Sequence, residues 1–176
     1  MARPFEVRPI PALKVRPPNV SAPYITIRRE PADKELADLM RLIESDDEKF
    51  ANRILTLRKT RLPYASYPEI ITYDWLKVQG HPFTFQSEAF GGRKMHGGYV
   101  PDFVLPQGGV GLVWRVQGDY WHTRPGSRSN DLASKLRLMG TYINGLRIEV
   151  VVDLWETDIY RRRPLVFNMG LQGLEL

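Results

Sequence analysis

An acid and an imidazole frame the chemistry open to this chain. Asp102 stands at the head of an apolar strand, in Val100-Pro101-Asp102-Phe103-Val104-Leu105. Fifteen residues later Gln117 closes a second apolar run, and Gly118-Asp119-Tyr120-Trp121-His122 follows. Cleaving a phosphodiester needs a cation to neutralise charge and a group that draws hydroxide from water. A carboxylate and a main-chain carbonyl suit Mg²⁺, a hard ion that prefers oxygen and keeps several waters. An imidazole titrates near neutral pH and serves as general acid or base. The spacing is that of a metal-dependent phosphodiester-cleaving site, and no other part of the sequence suggests a specific chemistry.

Strand alternation sorts the second run. Val113, Arg115 and Gln117 share one face, while Val110, Leu112, Trp114 and Val116 share the other with their carbonyls still available. Each candidate also has a plain structural role. On that reading Glu69 closes a capping box with Ser66, Asp102 is a strand-end acid, and His122 would be a packed histidine. Asp131 is a helix-start acid behind Ser129-Asn130, and Gln117 finishes a strand by hydrogen bonding.

The elements that must position these residues follow from patterning. Residues 1–30 read as an extended, basic, Pro-rich arm. Six prolines punctuate it, and Arg3, Arg8, Lys14, Arg16, Arg28 and Arg29 outnumber Glu6 and Glu30. Residues 31–62 read as a helical extension of two short helices, with Leu36, Leu39, Met40 and Ile43 at helical spacing. Residues 66–79 form a third helix, opened by Ser66-x-x-Glu69 with Pro68 in its first turn and closed by Gly80. Strands follow at 83–86, 99–105 and 110–117. A helix from Asn130 to about Asn144 carries a core stripe of Leu132, Leu136, Met139 and Ile143, and a buried strand covers 147–154. The order from the third helix onward is helix, strand, strand, strand, helix, strand. It predicts an α/β sandwich around a mixed sheet, with a right-handed parallel crossover between the strands at 110 and 154. Residues 63–160 are the expected core and 161–176 an apolar tail.

The 176 residues suffice for one domain with a real core. There are 25 Lys and Arg against 20 Asp and Glu, a formal charge of +5 that favours acidic partners such as nucleic acid. No cysteine is present, so disulfides and thiolate metal sites are excluded and a reducing compartment is expected. No apolar run reaches bilayer length, and Arg3 is not followed by the apolar stretch of a secretory signal. The expectation is a cytoplasmic or virus-associated protein without membrane contact.

Five landmarks fall in order: Glu69, Pro101-Asp102-Phe103, Gln117-Gly118-Asp119-Tyr120-Trp121-His122, Asp131 and Leu154-Trp155-Glu156. In this series residues 66–160 resemble the PD-(D/E)XK nuclease superfamily, and within it the very-short-patch-repair-like endonucleases. The resemblance implies a restriction-endonuclease-like three-layer sandwich with the arm and helical extension attached. It implies that Asp102 holds Mg²⁺ or Mn²⁺ with help from the Val116 carbonyl. Glu69 would reach the ion through water, and Gln117 would stand where the superfamily has lysine. His122 would be general base or acid, oriented by Asp131, with Tyr120 and Trp121 packed on the site or wedged against bases. Arg115 occupies the place of the usual second glutamate, where it would repel a metal unless it turned to a phosphate.

Two functions are therefore expected. The first is a magnesium-dependent DNA endonuclease whose Arg93, Lys94, Arg115, Tyr120, Trp121, Arg124 and Arg128 meet the nucleic acid, with the Arg161-Arg162-Arg163 run also facing the backbone. The second is a non-catalytic relative serving as a structural or nucleic-acid-binding part of a large assembly such as a phage particle. In that case residues 1–30 and 164–176 would drape over a protein partner or a second copy.

Overall fold

The computed structural model describes residues 32–87, 100–118 and 127–176, without the side chains of residues 32, 33 and 127–131. The arm expected over residues 1–30 lies outside them.

Helix α1 spans Ala32–Leu42 and α2 spans Glu48–Thr60. Asp47 caps α2 by accepting the Phe50 N–H at 2.9 Å. Helix α3, Tyr67–Gln79, opens on the full capping box and ends at Gly80, whose φ of +74° is a left-handed stop. These helices share one core, in which Leu39, Ile43, Ala51, Ile54, Ile70, Ile71 and Leu76 are buried.

Strands β1 (Thr84–Phe85), β2 (Phe103–Gln107), β3 (Val110–Gln117), β4 (Tyr142–Ile143) and β5 (Leu146–Trp155) make a five-stranded mixed sheet in the order β1-β2-β3-β5-β4. Pairing is antiparallel for β1–β2, β2–β3 and β4–β5, and parallel for β3–β5. Between the two parallel strands the chain passes through α4, Ser127–Leu138. After β5 come α5, Glu156–Arg161, and α6, Arg163–Leu171. The chain is thus mixed α/β, with five strands and six helices among the described residues. No helix among them is long and apolar enough to cross a membrane.

Alternation builds the core from the strands outward. Phe103, Leu105, Leu112, Trp114, Val152 and Leu154 join the large cluster with α1, α2, α3, α5 and α6. Val104, Val113, Ile148 and Val151 face the other way, onto Leu138 and Ile143. Trp114 is the hinge of the larger side. It is fully buried, stacks on Phe167 at 6.0 Å and donates its Nε1–H to the Gly170 carbonyl at 3.1 Å. Burying an aromatic of this size contributes on the order of 2–3 kcal/mol, and the indole N–H must find a partner.

Three expectations change. The helix expected to run to about Asn144 stops at Leu138. Asn144 (φ +51°) and Gly145 (φ +79°) instead turn a hairpin between β4 and β5, because left-handed backbone at both positions suits an Asn-Gly pair. Of the expected stripe Leu132, Leu136 and Met139 face outward, at 57%, 60% and 46% exposure, while Ile143 is buried as expected and Leu138 is buried with it. The segment read as a tail is α6, with Val166 and Phe167 buried beside Trp114. Of the residues proposed for self-association, these two are committed to the chain's own core.

Candidate functional site

Glu69 and Asp102 come together where α3 starts and β2 begins. The capping box fixes Glu69: its Oε2 accepts the Ser66 N–H and Oγ–H, each at 2.6 Å, and its Oε1 accepts Gln86 Nε2–H at 3.4 Å. Gln86, at a φ of +51°, also donates its main-chain N–H to the Asp102 carbonyl at 2.8 Å. Gln86 therefore ties both acid-bearing segments together.

Asp102 is held from the other side by β3. Its Oδ2 accepts the Val116 N–H at 2.7 Å, just past the last β2–β3 pair, Phe103 with Trp114. The carboxyl titrates at about 7 instead of 3.8. Burial is the main reason, and the charge of Glu69 with its carboxyl inside hydrogen-bonding reach adds to it. The Val116 N–H and the more weakly felt Arg115 pull the other way. Two carboxyls thus face each other in a half-dry site, an arrangement that accepts a shared proton or a cation.

Arg115, expected against DNA, is 2% exposed. Its Nε and Nη2 hydrogens go to Asp153 Oδ1 and Oδ2 at 2.6 and 2.7 Å. The parallel register places Arg115 directly beside Asp153. A guanidinium fork fits a carboxylate in two parallel bonds, so the buried cation is matched on the neighbouring strand and not by phosphate. Gln117, expected in the lysine position, also donates to Asp153 Oδ1, at 3.1 Å. Lys135 Nζ lies 3.6 Å from Asp153 Oδ2 and pairs with Glu175, whose carboxylate in turn accepts the Asp153 N–H at 2.9 Å. Asp153 keeps its carboxyl below the ordinary range: burial opposes this, but the bonds and charge of Arg115, Gln117 and Lys135 outweigh it.

Each arginine of the run at 161–163 has a partner within the fold, and Arg161 and Arg162 stay more than half exposed. Arg161 pairs with Glu44 at 3.0 Å, and Arg162 pairs with Asp158 one turn back. Arg163 donates to the Tyr160 carbonyl at 2.9 Å and lies over the Phe50 ring.

The structure therefore joins Glu69, Asp102 and the Val116 main chain in one place, and places Gln117 beside Arg115 on Asp153. Tyr120, Trp121, His122, Arg124, Arg93 and Lys94 lie outside the described residues. Arg128 and Asp131 are placed only as backbone in α4. The sequence reading passed over Asp153 and Gln86. Asp153 left a signal, a lone acid inside Val150-Val151-Val152-Asp153-Leu154; Gln86 left none. Among the described residues no group of three or more His, Cys, Asp or Glu side chains gathers. Compared with known proteins, the chain matches no family model, no curated protein and no solved structure.

Proposed function

We propose that this chain is a metal-dependent DNA endonuclease of the PD-(D/E)XK type, with a restriction-endonuclease-like sandwich and its site at Glu69 and Asp102. The observation that carries the reading is the apposition of these two carboxyls at the end of the β2–β3 ladder. The donor set fits Mg²⁺ or Mn²⁺. Two carboxyl groups offer hard oxygens, and burial first, with the neighbouring Glu69 charge adding to it, raises the Asp102 carboxyl to about 7. In an extended strand a residue's N–H and C=O point to the same edge. With the Val116 N–H on Asp102, its carbonyl faces the same side and can join the ligands.

When bound, the ion would neutralise phosphodiester charge and acidify water. The chain's own groups do the rest. Asp102 and Glu69 bind, each fixed by main-chain or capping bonds that limit its motion. Gln86 holds the two segments in register. His122 is assigned general acid or base, and the basic side chains Arg93, Lys94 and Arg124 are assigned the DNA backbone. Nicking of supercoiled plasmid in Mg²⁺ or Mn²⁺, abolished by EDTA, is the test. Asp102→Ala and Glu69→Gln should both remove cleavage while leaving the circular dichroism spectrum unchanged; cleavage at wild-type rate in Asp102→Ala refutes the assignment.

A second reading is favoured by Arg115 and Gln117, which occupy the superfamily's catalytic positions and are both bonded to Asp153. In that reading the chain is a non-catalytic nuclease-fold component that binds nucleic acid within a larger assembly. Retention of duplex DNA in a gel shift, without nicking in either metal, selects it.

A further inference from the structure

We infer that Asn144 is a positioning residue: the turn between β4 and β5 reaches across one face of the sheet, and its amide clamps Thr84 and Ser87, which bracket Gln86, so that Gln86 holds Glu69 and Asp102 together for a divalent cation. The inference rests on the metal reading of that pair and adds a distant residue on which its geometry depends.

Thr84, Val104, Val113 and Val151 are successive cross-strand partners on β1, β2, β3 and β5, so their side chains stand in one row on one face. In a flat sheet the ends of that row lie three strand spacings apart, about 14 Å. Ile143 belongs to the same buried cluster as the three valines. The next residue, Asn144, passes beyond them and donates its Nδ2 hydrogens to Thr84 Oγ1 at 3.0 Å and to Ser87 Oγ at 2.9 Å. A turn attached to β5 thus meets the edge strand on the far side of β2 and β3. The hairpin is a strap folded over the valine face, and Asn144 is where it fastens.

Position 144 uses both particular properties of asparagine. Its φ of +51° lies in the left-handed region that Asn tolerates better than most residues. Its amide carries two donors on one nitrogen, and both are engaged. Ser87 Oγ–H donates in turn to Thr84 Oγ1 at 2.8 Å, which closes a ring of three polar side chains around the Gln86 segment. Before Gln86 the chain is anchored by the β1–β2 ladder and by the Phe85 ring against Tyr73 and Phe103. After Gln86 the hold passes to Ser87, through this ring. Between the two, Gln86 keeps its left-handed backbone, with its main-chain N–H on the Asp102 carbonyl and its side-chain amide on Glu69. Backbone conformation sets where a side chain leaves the chain, so restraint at Ser87 becomes restraint on the group that meets the Glu69 carboxyl. Asn144 itself is exposed, and truncating it removes no core packing.

The test is Mn²⁺ affinity of the full chain, read by electron paramagnetic resonance of free Mn²⁺ and by calorimetry at pH 7.5, with a urea titration of each variant in EDTA alongside. Asn144→Gly keeps the left-handed turn and removes both donors. One neutral hydrogen bond is worth on the order of a twofold to tenfold change in an equilibrium constant, and affinity falls with the fraction of chains that hold the competent geometry. Loss of two such bonds is therefore expected to raise the Mn²⁺ Kd about fivefold or more. Thr84→Val with Ser87→Ala removes the acceptors and should raise Kd to a similar extent. Combining all three substitutions should add no more than about twofold to either loss, because they break the same ring. A clasp that only stabilises the fold would lower the urea midpoint and leave the Kd of the folded chain at the wild-type value. That result overturns the inference and leaves the metal reading standing, as does a triple variant whose loss is the product of the separate ones. Wild type that binds no Mn²⁺ overturns the metal reading itself and this inference with it. Where Asn144→Gly does not fold, the Thr84→Val, Ser87→Ala chain decides alone: a Kd raised about fivefold supports the clamp, and an unchanged Kd overturns it.

Discussion

Asparagine at position 102 should make the protein more stable in alkali and leave it unchanged in acid. An Asn side chain mimics the protonated carboxyl: its oxygen can accept the Val116 N–H, and its amide can donate to Glu69. The wild-type group titrates at about 7 in the folded chain and at 3.8 as the ordinary carboxyl, so the folded state holds the extra proton between these values. The stabilisation is fully present below 3.8 and is lost as pH rises through about 7. Integrating proton uptake from pH 5.5 to 8.5, wild type loses about 2 kcal/mol that the Asn variant does not lose. For a unit of this size that is a relative shift in Tm of roughly 4–8 °C. Urea titrations of both proteins at the two pH values, with EDTA present, measure it directly. A gap between variant and wild type that stays constant from pH 5.5 to 8.5 would show that Asp102 does not carry the proton. The reasoning about the paired carboxyls would then fail. Repeating the alkaline titration with Mg²⁺ should recover stability in wild type and not in the variant, since a cation replaces the missing proton.

Two further outcomes test the packing. Gly170→Ala places a Cβ 3.0 Å from the Trp114 ring carbons, and should cost about 1–3 kcal/mol in chemical denaturation through overpacking, despite the better helix former. Leu136→Lys should change stability by less than about 0.5 kcal/mol because that side chain faces outward, whereas Leu138→Ala should cost roughly 2–5 kcal/mol.

Local signals were readable in the sequence wherever local chemistry decides the structure. The Ser66–Glu69 box and Gly80 mark α3 to the residue, because a cap and a left-handed stop are made by neighbours in the chain. The alternation of β3 sorts its two faces correctly, with Trp114 inward to the helices and Val113 to the other side. Asn144-Gly145 carries an equally local hairpin signal, but an apolar spacing that continued through Ile143 masked it. The spacing of Leu132, Leu136 and Met139 is genuinely helical, yet periodicity reports only that one side is apolar, not that anything covers it. Asp153 stands out as a lone acid in an apolar run, but its partner could not be read. Its meaning lies in the parallel register with Arg115, 38 positions earlier, and no pattern within either strand specifies that alignment. The juxtaposition of Glu69 with Asp102 was expected from family likeness, while Gln86, which bridges them, depends on a left-handed residue in an otherwise ordinary connection.

The bond from Trp114 to Gly170 spans 56 positions. During synthesis the middle strand of the sheet emerges well before the helix that seals its indole, and chains are made at only about 5–20 residues per second. For several seconds the widest apolar side chain of the strand bearing Arg115 and Gln117 has Trp75 beside it but lacks Phe167 and the Gly170 carbonyl. The acid pair does not wait for that helix: Ser66, Glu69, Gln86, Asp102 and Val116, whose bonds fix it, are all made before the seal at Gly170.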